Sequence, residues 1–153
     1  MITYALENSF LTLHQTQDAR IRGRLYPTVG SKASQVLVTS RQDPINFPHT
    51  RYPFAESHLD HSRIQPAVHN CAITIHEGPH LYRYMIFFKN HCRLPFNASL
   101  ASLSQGQVRS VLRGDILVMR VGTNYNYVNM RERDTILTDW FMKRYALVLF
   151  AAL

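Results

Sequence analysis

The dipeptide Gly78-Pro79 most constrains what this chain can fold into, because an α-helix cannot run through it. It lies in the string His76-Glu77-Gly78-Pro79-His80, which matches the His-Glu-x-x-His signature of zinc metallopeptidases. That signature needs a helix, on which both imidazoles share a face and reach one metal. A proline inside a helix costs ~3 kcal/mol, and the preceding run Ala72–Ile75 is rich in β-branched residues. We therefore predict a turn between two strands.

Six segments carry the residue pattern of β-strands, and two carry that of helices. The predicted strands are Arg20–Tyr26, Gln35–Ser40, Cys71–His76, Leu81–Lys89, Asp115–Val121 and Tyr125–Met130. A C-terminal helix is predicted over residues 135–150, with Asp134 or Thr135 as its N-cap. The face that recurs at spacings of three and four comprises Ile136, Leu137, Trp140, Phe141, Arg144, Tyr145 and Val148. A short helix is predicted from Ala98 to Leu103, capped by Asn97.

The length of 153 residues predicts a single globular domain over residues 1–153. Its predicted fold class is α+β, with a mainly antiparallel, curved or barrel-like sheet of six to seven strands and the C-terminal helix across it. Residues 41–67 contain four prolines and no usable period, which predicts a long irregular loop. The apolar end from Tyr145 onward predicts docking into the core, with an oligomer contact or a continuing native chain as alternatives.

Neither a membrane span nor a disulfide framework is predicted. No stretch approaches the ~20 apolar residues that cross a bilayer, and the first residues lack the basic start of a secretion signal. We therefore predict an intracellular location, cytoplasmic or nuclear. In the predicted hairpin Cys71 faces residue 86 or 87, which puts Cys92 ~17 Å away. Both thiols are predicted to be reduced.

The net charge of +7 is carried mainly by arginine, since the chain has 14 Arg and three Lys against 10 Asp and Glu. The guanidinium fork suits phosphate and carboxylate oxygens, so this bias favours an anionic partner. The alternative is a basic surface without a partner.

The predicted strand Arg20–Tyr26 places Arg20, Arg22 and Arg24 on one face, because strand side chains alternate. Three like charges in a row repel one another unless they meet anions, water or carboxylates. This pattern predicts a stripe that contacts a phosphate backbone. The alternative is a solvated face paired with acids such as Glu7 or Asp18.

The segment Phe47–Phe54 interleaves aromatic and basic residues. In proteins that bind single-stranded nucleic acid, aromatic faces stack on bases while arginines hold phosphates. Arg51, Tyr52 and Phe54 are therefore added to the predicted binding residues. The alternative is that the aromatic side chains pin this loop onto the sheet.

Four strings of the sequence resemble segments of short, uncharacterised single-domain proteins of mushroom-forming fungi. The strings are Pro44–His49, Thr74–His80, Gly114–Arg120 and Val128–Arg131. The resemblance covers residues 2–140. It implies a eukaryotic intracellular setting, and it implies no activity, cofactor or catalytic residue.

Three hypotheses for the function follow. The first is a non-enzymatic binding module for an anionic partner such as RNA or DNA. The second is a zinc-dependent hydrolase in which His76 and His80 hold the metal, Glu77 activates water and a third ligand such as His91 completes the site. The third is a structural or protein-interaction domain that uses the apolar C-terminus. We favour the first and predict no metal or cofactor, because no pair of knuckle-like zinc motifs accompanies the eight histidines.

Overall fold

A six-stranded antiparallel sheet with a long helix across one face forms the core of the computed structural model. The structure describes residues 19–30, 32–40, 68–89, 92–104, 112–123 and 126–151. The strands are β1 (Ala19–Tyr26), β2 (Ser34–Ser40), β3 (His69–Glu77), β4 (His80–Phe88), β5 (Ile116–Val121) and β6 (Tyr127–Val128). The helices are α1 (Ala98–Leu103) and α2 (Glu132–Ala151). The predicted α+β class is confirmed.

The strand order is β2-β1-β5-β4-β3, so the central strand β5 pairs with elements from both ends of the sequence. One edge of β5 is shared by two partners. The first half of β5 pairs with β1, from Ile116↔Tyr26 to Val118↔Arg24, and the second half pairs with β6. The chain then continues from β6 to β1, where the Met130 N–H donates to the Arg22 carbonyl at 3.1 Å. Among the described residues the sheet is curved and unclosed, which is the first of the two predicted shapes.

The predicted turn at Gly78-Pro79 is confirmed. Strands β3 and β4 are joined by these two residues alone, and Glu77 pairs directly with His80. Gly78 has φ +58, a left-handed conformation in which glycine is not strained. A positive φ followed by the fixed negative φ of proline has the sign pattern of a type II′ turn, which suits the twist of a hairpin. Cys71 lies opposite Ile86, as predicted.

Both faces of the sheet bury apolar side chains, which form two clusters. The first cluster lies on the face that carries the helices, and it includes Leu100 of α1 and Leu137 and Met142 of α2. The strands contribute to it Tyr26, Ile75, Tyr84, Ile86, Phe88, Ile116 and Val118. The second cluster, on the opposite face, comprises Ile21, Val38, Phe87, Leu117, Met119 and Tyr127. Strand β5 alternates between the two, which explains its continuous apolar sequence.

The predicted C-terminal helix is present, but it starts three residues before the predicted position 135. Helix α2 begins at Glu132, and Asp134 is not its N-cap but lies in the first turn, where its carboxylate accepts the Arg131 N–H at 2.7 Å. The predicted face included Ile136, Trp140 and Tyr145, which are 52%, 43% and 44% exposed. Among the described side chains of α2, the buried ones are Asp134, Leu137, Thr138, Met142 and Ala146, and of these Leu137 belongs to the predicted face. Apolar residues surround much of this helix, so spacing alone could not select its inner face.

The predicted strand Tyr125–Met130 shortens to Tyr127–Val128, because the chain leaves β5 to contact β1. Three other predictions fall on residues outside the described ranges. These are the irregular loop over residues 41–67, the apolar side chains that follow Ala146, and the acids Glu7 and Asp18. Among the helices of the described residues, none combines the length and apolar character that a bilayer crossing requires.

Strand β1 approaches β5 so closely at Gly23 that a side chain there has no room. A Cβ atom at Gly23 would clash with the Met119 Sδ and would lie 3.0 Å from the Val118 carbonyl oxygen. We expect Gly23→Ala to lower the free energy of unfolding by ~1–3 kcal/mol, the usual cost of overpacking. Ala72→Ser on the exposed face of β3 is the control. Chemical denaturation checks this, and equal stability of the two variants would contradict the close approach.

Candidate functional site

A cleft of about 430 Å³ opens beside the end of β1, between α1 and α2. Its lining residues come from four parts of the chain: Arg24, Tyr26, Lys32, Ala33, Ser99, Ser102, Leu103 and Asp139. Of the predicted binding residues that the structure describes, only Arg24 lies here. The cleft therefore contains one residue that the sequence pattern identified and several that it did not.

The floor of the cleft is a cluster of Arg24, Asp139 and Tyr26. Arg24 holds Asp139 in a two-pronged ion pair, with Nε to Oδ1 at 2.8 Å and Nη2 to Oδ2 at 2.7 Å. The Tyr26 hydroxyl donates to Oδ1 of the same carboxylate at 2.6 Å. Burial, followed by the negative charge of Asp139, raises the pKa of Tyr26 far above its ordinary value. This phenol therefore stays protonated and continues to donate.

Burial alone would lower the pKa of Arg24, but its contacts with Asp139 and Tyr26 together outweigh that effect. The pKa of Arg24 is raised as a result. The guanidinium is thus a permanent cation in the cleft, and it is partly neutralised by the carboxylate on α2.

A second cluster with the same three residue types lies at the start of α2. Asp134 is fully buried and accepts the Tyr84 hydroxyl at 2.7 Å and the Arg120 Nη1 at 3.2 Å. Tyr84 and Arg120 lie opposite each other on β4 and β5. Burial and the bond to Asp134 raise the pKa of Tyr84. Each cluster ties α2 to the sheet, so the helix is held at two points along its length.

The other wall of the cleft, α1, is positioned by Asn97. As predicted, Asn97 caps this helix, and its Oδ1 accepts the Leu100 N–H at 3.0 Å. Its Nδ2 donates to the carbonyls of Tyr26 and Gly114 at 2.8 and 2.9 Å. The Ser99 N–H donates to the Pro27 carbonyl at 3.3 Å. The end of β1 and the start of α1 are therefore fixed relative to each other.

The predicted arginine stripe divides into two parts. The alternation along β1 puts Arg20 and Arg22 on the face of Arg24, which is the face that α2 crosses. Arg20 and Arg22 are exposed, and their side chains make no ion pair or hydrogen bond with the part of the chain that the structure describes. The acid that meets Arg24 is Asp139, which is 115 residues away in sequence. Nothing in the local pattern of β1 could have identified it.

The other predicted binding residues, Arg51, Tyr52 and Phe54, lie outside the described residues. Helix α2 presents exposed aromatic side chains. Trp140 and Tyr145 contact edge to face, with ring centroids 5.8 Å apart, and the Arg144 guanidinium lies 5.3 Å from the Trp140 ring. This side of α2 is both aromatic and basic.

The hairpin gives the His76-Glu77-x-x-His80 string no shared metal site. His80 lies opposite Glu77, and His76 lies opposite Leu81. Residues paired across antiparallel strands project to the same face, so the two imidazoles point to opposite faces of the sheet. Glu77 instead forms an ion pair with Arg133 of α2. Within the described ranges, no three His, Cys, Asp or Glu side chains group as a metal site would need; His91, the suggested third ligand, lies outside them.

Replacing Asp139 with asparagine should destabilise the fold more than the same change at an exposed ion pair. Asp139→Asn removes the charge that Arg24 and Tyr26 both contact, and hydrogen bonds to charged groups contribute ~1.5–3 kcal/mol. Glu77→Gln is the matched control because Glu77 and Arg133 are 36% and 50% exposed, and such pairs contribute ~0–1 kcal/mol. Urea denaturation of both variants measures the difference. Equal losses would show that the Asp139 cluster does not hold α2.

Alkaline pH should destabilise the protein through Tyr26 and Tyr84. Their pKa values are raised in the folded state above the ordinary value of ~10, so the fold holds these protons more tightly than the unfolded chain does. The resulting stabilisation is fully present below pH ~10 and is lost as pH rises towards the folded pKa values. Stability measured against pH should therefore fall less steeply in a Tyr26→Phe/Tyr84→Phe variant. Tyr145→Phe, at an exposed tyrosine, should keep the wild-type slope.

Comparison of the chain with protein-family models, with curated proteins and with solved structures finds no significant match. The resemblance to fungal proteins therefore stays a prediction, and the function is inferred from geometry and charge.

Proposed function

We propose that this chain is a non-enzymatic binding module for nucleic acid. The observation that carries the proposal is the exposure of Arg20 and Arg22 on β1, beside an Arg24 that Asp139 already neutralises. We call Arg20 and Arg22 the β1 basic face. The third arginine of the stripe, Arg24, pairs with Asp139, whereas Arg20 and Arg22 have no acidic partner among the described residues.

The spacing of the β1 basic face suits a repeating anion. Side chains two residues apart on a strand lie about 7 Å apart and project in the same direction. Each guanidinium can therefore contact a different phosphate while its flat fork binds two oxygens. The net charge of +7 adds a long-range attraction that would bring a polyanion to this face.

The exposed side chains of helix α2 favour a single-stranded nucleic acid as the partner. The Asp139–Arg24 ion pair places α2 on the same side of the sheet as the β1 basic face. Trp140 follows Asp139 and is 43% exposed, with Arg144 against its ring. Exposed aromatic rings stack on unpaired bases, which duplexes do not present, while nearby arginines hold the backbone.

The same exposed side chains support a second candidate, a protein-interaction domain. Ile136, Trp140 and Tyr145 expose apolar surface on a helix that is otherwise fixed to the sheet. Light scattering distinguishes the two candidates: self-association that Trp140→Ala abolishes would favour a protein contact. Binding of oligonucleotide by a monomer would favour nucleic acid.

Replacing Arg22 should weaken nucleic-acid binding, whereas replacing an arginine on the opposite face should not. Arg22→Gln and Arg83→Gln each remove one charge from the same sheet, but Arg83 lies on β4 and on the face away from α2. Affinity for a fluorescent single-stranded oligonucleotide is measured at several salt concentrations. Loss of one phosphate contact lowers the slope of log K against log salt by ~0.7 for a single strand. We expect the slope to fall by this amount in Arg22→Gln and to fall further in the double variant Arg20→Gln/Arg22→Gln.

Equal effects of Arg22→Gln and Arg83→Gln would mean that only the net charge matters, and the β1 basic face would then have no role. A salt-independent affinity, or no binding at low salt, would remove the proposal altogether.

A further inference from the structure

The cleft between β1, α1 and α2 has the size of a small-molecule site, and the proposed nucleic-acid surface does not use it. Its volume of about 430 Å³ lies within the ~300–1,000 Å³ typical of ligand pockets. The β1 basic face lies further along β1, towards its start. The cleft is therefore a candidate for a separate binding site.

The cleft is preorganised, because hydrogen bonds fix its floor and walls. Asn97 and Ser99 hold α1 to the end of β1, and Asp139 holds α2 to Arg24 and Tyr26. These contacts link one part of the protein to another, so binding would not require the walls to be ordered first. Preorganisation of this kind lowers the cost of binding.

Cationic donors outnumber the acidic groups in the cleft. Arg24 uses its Nε and Nη2 on Asp139, while its Nη1 bonds to none of the described residues. Lys32 is exposed at the rim and makes no ion pair with the described part of the chain. Against these two cations, the lining residues that the structure describes contribute one carboxylate, Asp139. The Ser102 hydroxyl adds a neutral donor beside them.

The remaining lining gives the cleft an apolar side. Ala33 follows Lys32, and Leu103 lies at the end of α1. Both are half-buried and belong to the edge of the helix-side cluster. An anionic group and a short apolar group can therefore be received at neighbouring positions.

We propose that this cleft binds a small organic phosphate, a phosphate monoester with a short apolar or aromatic group. Lys32 and the free Nη1 of Arg24 hold the phosphate, and the Ser102 hydroxyl donates to a third oxygen. The organic group lies against Ala33 and Leu103. Asp139 keeps Arg24 in place and limits the net charge of the site, which favours a single small anion over a polyanion.

The test uses phenyl phosphate as probe and inorganic phosphate as its fragment, with binding followed by amide chemical shifts in two-dimensional NMR of the full chain. Phenyl phosphate should shift the resonances of Lys32, Ala33, Ser102 and Leu103 saturably and bind more tightly than inorganic phosphate. Lys32→Gln should weaken binding about tenfold, which is equivalent to ~1.4 kcal/mol. Lys143→Gln is the matched control, because Lys143 is an exposed lysine of α2 that does not line the cleft.

A second variant, Ser102→Trp, should block the cleft while it leaves the fold intact, because Ser102 is exposed. Its unchanged melting temperature would confirm the fold. The proposal is overturned if phenyl phosphate gives no saturable shifts, if Lys32→Gln and Lys143→Gln bind alike, or if folded Ser102→Trp binds like the wild type. Because these variants leave Arg20 and Arg22 unchanged, failure here does not bear on nucleic-acid binding.

Discussion

The attachment of α2 to the sheet through two carboxylates is the constraint on which the rest of the structure depends. Asp134 and Asp139 each accept hydrogen bonds from a tyrosine hydroxyl and an arginine. The partners of Asp134 lie on β4 and β5, and those of Asp139 lie on β1. The Asp134 carboxylate is fully buried and that of Asp139 is partly buried, so both need partners for their oxygens, and these partners specify where the helix can lie. Apolar packing supplies most of the driving force, but it is not directional. The two clusters provide the direction. Asp139 also lines the cleft, where it holds α2 to the end of β1.

Local patterns predicted much of the fold. The alternation of residues identified β1 to β5 within a few positions, Gly78-Pro79 identified the turn, and Asn97 identified the start of α1. Each of these depends on interactions between residues close in sequence, such as a left-handed glycine or a side chain that caps the next turn. The β6 strand was the weakest element of this prediction, since a contact with β1 ends it early.

The inner face of α2 and most of the cleft could not be predicted in this way. Asp139 looks like an ordinary helical acid until Arg24 and Tyr26 are brought to it from the other end of the chain. Trp140 and Ile136 lie on the face that the spacing identified and are exposed, whereas the buried positions include Asp134 and Thr138. Hydrophobicity alone is a poor guide to which positions are buried when polar side chains find hydrogen-bond partners in the interior, as they do here. Lys32 and Ser102 carry no local signal at all.

The two-residue link between β3 and β4 has a consequence for the order in which the chain folds. Its strands can pair as soon as they are synthesised, since a hairpin closes within microseconds and little chain entropy opposes it. Strand β1 cannot take its place beside β5 until β5 has emerged, because Arg24 pairs with Val118, which lies 94 residues further along the chain. Until then the edges of β1 and β4 that pair with β5 remain without a partner strand. Nascent chains of this protein are therefore expected to need protection from aggregation late in synthesis.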